Sequence, residues 1–123
     1  QALSQKDDSV YPYWDVFAEK LNSDNSYQRS IGLMLLAENV AWDKDGRFAE
    51  VCAAYLAHCD DEKFITARQC IQGLNKIIAA TTGYRKEIVA ALTGLELDKT
   101  KDTQKGLLRR DIAEVLGKIA QEE

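Results

Sequence analysis

The chain has 123 residues, a net charge of −4 and a pI near 5.1, and 46% of its residues are hydrophobic. This length is most simply one domain, residues 1–123, which can bury a core without a metal or a disulfide. The acidic balance argues against strong non-specific binding to nucleic acid or an anionic membrane. No apolar run reaches the roughly 20 residues that a membrane span requires.

Helical segments separated by short polar turns account for most of the sequence. In chain order, the predicted helices cover residues 12–21, 26–42, 47–59, 64–80, 84–97 and 104–121. The fourth is the clearest, because its apolar residues recur in steps of three and four along one helix face. These residues are Phe64, Ala67, Ile71, Leu74 and Ile78. Since no segment alternates as a strand does, the pattern predicts an all-α domain.

The turns carry residues that favour helix ends. The polar run 22–25 is expected to break the first helix and cap the second. The acidic run 60–62 is expected to cap the fourth helix and to oppose the positive end of its dipole. Gly83 is expected to end that helix in the left-handed conformation.

The even-numbered helices can be aligned on Arg29, Arg68 and Arg109, which lie 39 and 41 residues apart. Periods near 40 with two helices each are typical of HEAT and armadillo repeats, in which hairpins stack to share a core. The alignment predicts a short right-handed α-α superhelix of three antiparallel helix pairs, with repeats at about 10–43, 46–81 and 83–122. A non-repeating six-helix bundle is the alternative, and Arg110 offers a competing match in the third copy.

Three segments carry a family resemblance: LAENVAWD at 36–43, DEKFITARQCIQGLNKI at 61–77 and RDIAEVLGKI at 110–119. With them the chain resembles a group of small bacterial HEAT-like repeat proteins without an established activity, sometimes labelled SufBD after iron–sulfur assembly. The resemblance implies a structural role for the aligned arginines, each meeting an acidic residue in the turn before its helix. The expected pairs are Arg29 with Asp24, Arg68 with Asp60 or Asp61, and Arg109 or Arg110 with Asp98 or Asp102.

Cysteines number three, at Cys52, Cys59 and Cys70, and all lie within apolar helical patterns. Reduced, buried thiols in a cytoplasmic protein are the expected state. His58 is adjacent to Cys59, but there is no CxxC pair for a metal and no third residue that would orient His58 for nucleophilic catalysis. We therefore expect no metal and no cofactor.

Trp42, Asp43 and Asp45 are similar to the aromatic and acidic residues of HEAT-like DNA alkylation-repair glycosylases, which are longer and have a basic concave face. This likeness supplies the alternative function, a related nucleic-acid-binding protein. The basic residues near the last helix would serve it, but neighbouring acids offset them. They are Lys99, Lys101, Lys105, Arg109 and Arg110.

Solenoids of stacked hairpins present the second helix of each pair as a row of side chains. The predicted function is therefore a non-enzymatic module that binds another protein through its second-helix face. No membrane is expected as a partner, and the sequence identifies no small-molecule ligand. The candidate contact residues, all expected to be exposed, are Gln69, Gln72, Lys76, Glu114 and Lys118.

Overall fold

A computed structural model describes residues 11–43, 46–97 and 101–122. Within these ranges the chain is 81% helical and has no strand, which confirms the all-α prediction. None of these helices is both long and apolar enough to cross a bilayer. The α-helices are α1 (Trp14–Lys20), α2 (Ser26–Asn39), α3 (Phe48–Ala57), α4 (Phe64–Ala80), α5 (Arg85–Thr93) and α6 (Asp102–Glu122).

Each predicted helix is present in the described residues, with changes at the ends. The fourth has the predicted bounds, whereas α5 stops at Thr93, just before Gly94. Short 3-10 turns replace part of the α-helix expected in the first three segments. These turns are Tyr11–Tyr13, Val40–Trp42 and His58–Asp60.

The central element is α4, which packs against α2 on one side and α6 on the other. Its apolar stripe is buried apart from the partly buried Phe64, with Ile71 and Leu74 at 0% exposure. Leu36 of α2 and Val115 of α6 belong to the same core. The second, fourth and sixth helices therefore lie side by side, and α1 packs against α2.

Aromatic rings connect the odd-numbered elements. Phe48 at the start of α3 meets Trp14 of α1 edge-on at 6.5 Å between ring centroids. The same ring meets Tyr55 at 5.6 Å and Tyr84, next to α5, at 4.9 Å. Edge-to-face contacts of this kind are favourable because the positive ring edge faces a negative ring face. Phe48 thus connects α1, α3 and the residue before α5.

A close approach between α3 and α4 depends on Gly73. A Cβ at this position would lie 2.3 Å from the Tyr55 hydroxyl oxygen and 3.3 Å from Ala37 Cβ. The Tyr55 hydroxyl donates a hydrogen bond to the Cys70 carbonyl oxygen at 2.9 Å. In return, the Cys70 thiol donates to the Tyr55 carbonyl oxygen at 3.0 Å. Glycine is required because α3 comes so near.

Two of the expected helix ends differ in the structure. Asn25 caps α2 as predicted, its Oδ1 accepting from the Tyr27 amide at 2.8 Å. The cap of α4, however, is Lys63, which makes no side-chain capping bond. Gly83 is not left-handed, since Gly46 is the only described residue with positive φ. Instead α4 ends at Thr81, whose extended backbone breaks the helical path.

Candidate functional site

Four of the five predicted contact residues are exposed. Gln72 and Lys76 lie on the surface of α4, and Glu114 and Lys118 on the surface of α6. Gln69 is half-buried, so its predicted exposure is wrong. It helps to line a cavity of about 200 Å³ between α2 and α4, where Met34 and Ala37 form the opposite wall.

Hydrogen bonds and short charge contacts connect α4 to α2 through one group of these residues and to α6 through another. Lys76 Nζ donates to Glu38 Oε1 of α2 at 3.2 Å. Asn75 Nδ2 donates to Glu114 Oε1 of α6 at 2.8 Å, and Lys118 Nζ lies 3.8 Å from that oxygen. We call the surface formed by Glu38, Gln72, Asn75, Lys76, Glu114 and Lys118 the even-helix face. Because its side chains hold one another, part of the entropy cost of ordering them is met before any partner arrives.

The two side chains of the Lys76–Glu38 ion pair differ in solvent exposure. The Glu38 side chain is only 2% exposed, whereas Lys76, its partner, is 49% exposed. A buried carboxylate requires compensation, because the low-dielectric interior disfavours a lone charge. Lys76 therefore supports α2 while keeping half of its side chain available at the surface.

A groove runs between α2 and α4 beside this ion pair. A cavity of about 450 Å³ shares Ala37 and Lys76 with the smaller cavity at Gln69. Apart from Glu38 and Lys76, its walls are small alanine side chains. They are Ala37, Ala41, Ala79 and Ala80. Short side chains leave room at the surface, so the groove can accept a side chain from outside.

Arg29 has a structural role, but its partner is not the expected one. Its Nε and Nη2 donate to the two carboxylate oxygens of Asp61 at 2.9 and 3.0 Å, and Nη1 donates to the Ser23 carbonyl at 3.0 Å. Asp24 adds only a weaker charge effect. Arg29 thus connects α2 to the turn before α4. Its planar guanidinium is suited to a two-point contact with the Asp61 carboxylate.

The Asp61 carboxylate collects three donors. Burial alone would raise its pKa, but hydrogen bonds from Arg29, the Lys63 amide and His58 outweigh burial and lower the pKa. The Asp61 side chain is 4% exposed, and His58 Nδ1 lies 2.9 Å from its Oδ2. Asp61 therefore acts as a buried junction between α2, α4 and the His58 turn.

Arg68 also pairs across helices, and the expectation of Asp60 or Asp61 as its partner is wrong. Its Nε donates to Asp111 Oδ2 of α6 at 2.8 Å, and Gln72 Nε2 lies 3.4 Å from Oδ1 of the same carboxylate. The hydrogen bond to Asp111 raises the pKa of Arg68. Arg109 and Arg110 are exposed on α6, and Asp98 lies outside the described residues.

Two of the three cysteine thiols lie close together in the interior. Cys59 Sγ lies 3.5 Å from Cys70 Sγ. Burial, with the charge of Glu87, raises the pKa of Cys52. Across the described part of the chain, His, Cys, Asp and Glu side chains form no group of three that could hold a metal. His58 contacts Asp61 and not a thiol.

Asp43 has a capping role. Its Oδ1 accepts from the Tyr11 hydroxyl at 2.6 Å and the Arg47 amide at 2.8 Å, while Oδ2 accepts from the Phe48 amide at 2.8 Å. Both oxygens accept hydrogen bonds from backbone amides at the start of α3, which gives Asp43 a structural role. Trp42 is half-buried beside it, and Asp45 lies outside the described residues.

The basic residues near α6 differ in exposure. Lys101, Arg109 and Arg110 are exposed, and Lys99 is outside the described residues. Lys105 is partly buried, with its Nζ 3.8 Å from Asp102. The groups are mixed with acids and resemble a solvated charged surface.

Sequence reasoning missed one apolar patch. Tyr27 in the first turn of α2 is 69% exposed, and Ile65 in the first turn of α4 is 76% exposed. Together with Phe64 and Gln104 they line a cavity of about 620 Å³. The available signal was Ile65 itself, an isoleucine that falls off the apolar stripe of α4.

Comparisons with known protein families, with curated proteins and with solved structures find no match. The resemblance to HEAT-like repeat proteins therefore stays a prediction, and function has to be argued from geometry.

Proposed function

We propose that this protein is a non-enzymatic module that binds another protein through the even-helix face. In this proposal the six helices form three antiparallel pairs in a short right-handed superhelix of the HEAT type. The support is that α4 lies between α2 and α6, as stacked hairpins require. Arg29 and Arg68 each pair with an acidic residue of the next hairpin, which joins neighbouring pairs.

The observation that carries the proposal is the set of exposed polar side chains that are held in place on this face. Gln72, Lys76, Glu114 and Lys118 are exposed on adjacent helices. Gln72 contacts Asp111, Lys76 contacts Glu38, and Glu114 and Lys118 contact each other. Such a surface offers donors and acceptors in fixed positions, and the groove beside Lys76 offers an apolar recess. Protein interfaces combine polar groups with small apolar pockets in this way.

We also propose a cytoplasmic location. All three cysteines are buried free thiols, which is the usual state in a reducing compartment.

The test compares baits in a pull-down from a lysate of the source cells. The double variant Gln72→Ala/Lys118→Ala removes one neutral polar group and one cation from the even-helix face. The matched control, Thr93→Ala/Lys86→Ala, also removes one neutral polar group and one cation, in this case from the exposed surface of α5. We expect proteins retained by the wild type and the control to be lost with the even-helix variant.

Retention of the same proteins by all three baits would contradict the proposed face. The nucleic-acid alternative is tested separately with duplex DNA. Binding that weakens steeply with added salt is the signature of phosphate neutralisation, and observing it would favour that alternative.

A further inference from the structure

Two cysteine side chains from different elements meet in the interior. Cys59 lies in the turn His58–Asp60 and Cys70 lies in α4, eleven residues later, with 3.5 Å between their sulfur atoms. Their exposures are 2% and 0%. Both thiols are free. They are therefore held in contact by the fold and not by a covalent bond.

A cavity lies beside this pair and is lined in part by Cys59. It has a volume of about 270 Å³. The wall is mixed, with acidic groups at residues 60–62, the Gln104 amide, and apolar side chains from Phe64, Ala67, Leu97 and Leu108. An oxidant the size of hydrogen peroxide fits such a space and reaches the Cys59 side of the pair.

We propose that Cys59 and Cys70 form a reversible oxidation site, which a peroxide converts to an intramolecular disulfide. This inference does not depend on the proposed binding function. In the first step the Cys59 thiol gives up its proton, the thiolate attacks one peroxide oxygen, and the O–O bond breaks to give a sulfenic acid. The hydroxide that leaves takes up the released proton and becomes water. In the second step the Cys70 sulfur attacks the Cys59 sulfur, and the hydroxyl leaves as water with the Cys70 proton. One peroxide is reduced, two thiols are oxidised, and two water molecules form.

The environment of each thiol determines which of the two reacts first. Cys70 donates its thiol proton to the Tyr55 carbonyl oxygen, and burial raises its pKa well above the usual range. The attacking group in thiol chemistry is the thiolate, so Cys70 is poorly suited to react first. Cys59 is part of the cavity wall, whereas Cys70 is not among the lining residues, so Cys59 reacts first and Cys70 then resolves the sulfenic acid. Closure requires the sulfurs to move from 3.5 Å to about 2.05 Å apart.

The disulfide would fasten the turn before α4 to the body of that helix. Asp61, which holds Arg29 of α2, follows Cys59 by two residues, so the cross-link adds a covalent constraint at the junction between hairpins. Cross-linking restricts the unfolded chain, and we therefore expect the oxidised protein to melt at a higher temperature than the reduced protein.

The experiment treats fully reduced protein with hydrogen peroxide, blocks the remaining thiols, and measures intact mass and proteolytic peptides without reductant. Expected are a fall from three free thiols to one, a loss of two hydrogen atoms in mass, and a cross-linked peptide joining Cys59 to Cys70. Dithiothreitol should restore all three thiols. Cys52→Ser should still form the cross-link, whereas Cys59→Ser should not.

Peptide mapping of the wild type keeps the test decisive if a variant misfolds. A cross-link that includes Cys52 would overturn the proposal. Oxidation of Cys59 to sulfinic acid with Cys70 left free would do the same, as would the persistence of three thiols.

Discussion

At the scale of single residues, buried contacts decide which positions tolerate change. Asp61 and Gly73 show this most clearly. Asp61 is a carboxylate shared by three donors, and Gly73 is a space that a side chain cannot enter. Neither role could be read from residue type alone, because both depend on a partner distant in sequence.

Asp61→Asn should lower the free energy of unfolding by about 2 kcal/mol at neutral pH, because it replaces a charge-assisted contact to a buried arginine. Since the folded pKa of Asp61 is lowered, its contribution is present above the unfolded value of about 3.9 and is lost as pH falls through the folded value. The difference between wild type and variant in denaturant unfolding should therefore shrink below about pH 4.

The matched control is Asp24→Asn, which changes the exposed carboxylate that the sequence had suggested for Arg29. Its expected effect is within about 0.5 kcal/mol. A larger loss of unfolding free energy from Asp24→Asn than from Asp61→Asn would contradict the Arg29–Asp61 pair. It would favour the pair expected from the sequence, Arg29 with Asp24.

Gly73→Ala should lower the free energy of unfolding by about 2 kcal/mol, because the new Cβ would lie 2.3 Å from the Tyr55 hydroxyl oxygen. Tyr55→Phe removes that oxygen and leaves the nearest ring carbon at 3.7 Å, an ordinary contact. The alanine should therefore cost much less in the Tyr55→Phe background, which a double-mutant cycle measures. Equal cost in both backgrounds would show that the hydroxyl is not the obstacle.

A surface glycine provides the comparison. A Cβ on Gly117 of α6 would meet nothing within 4 Å, so Gly117→Ala should stabilise the protein by roughly 0.5–1 kcal/mol.

At the scale of elements, α6 is attached to α4 partly through Asp111, which is 7% exposed and serves both Arg68 and Gln72. Asp111→Ala should lower the free energy of unfolding by about 1–3 kcal/mol, because it leaves the Arg68 and Gln72 donors unsatisfied. Hydrogen exchange should show the largest loss of protection in α6, because local openings report the weakened unit.

Glu114→Ala is the control on the same helix. Its contacts to Asn75 and Lys118 are exposed, so the expected loss is within about 0.5 kcal/mol. Equal loss of protection throughout the molecule in Asp111→Ala would mean that α6 does not open separately.

The helices were predictable because each apolar stripe is local in sequence, and α4 has the predicted bounds. The arginine partners were not, because helix periodicity fixes the face of Arg29 or Arg68 but not which neighbouring helix comes near it. The partial burial of Gln69 has the same origin, since it depends on how closely α2 approaches α4.

At the scale of the whole molecule, the account depends on the order of the even helices. Lys76 and Thr66 contact α2, while Arg68 and Asn75 contact α6, so opposite flanks of one helix serve two neighbours. A binding face, a groove and the proposed stacking all require this arrangement. The net charge of −4 disfavours non-specific binding to polyanions.

The most direct test is a set of nuclear Overhauser effects from α4 in solution. We predict effects from Thr66 to Ser30 of α2, whose hydroxyl oxygens are 2.9 Å apart, and from the Asn75 side-chain amide to Glu114 of α6, at 2.8 Å. Both sets together would place α4 between its two neighbours. Effects to only one of α2 and α6, or from these residues to α1 or α5 instead, would contradict the account.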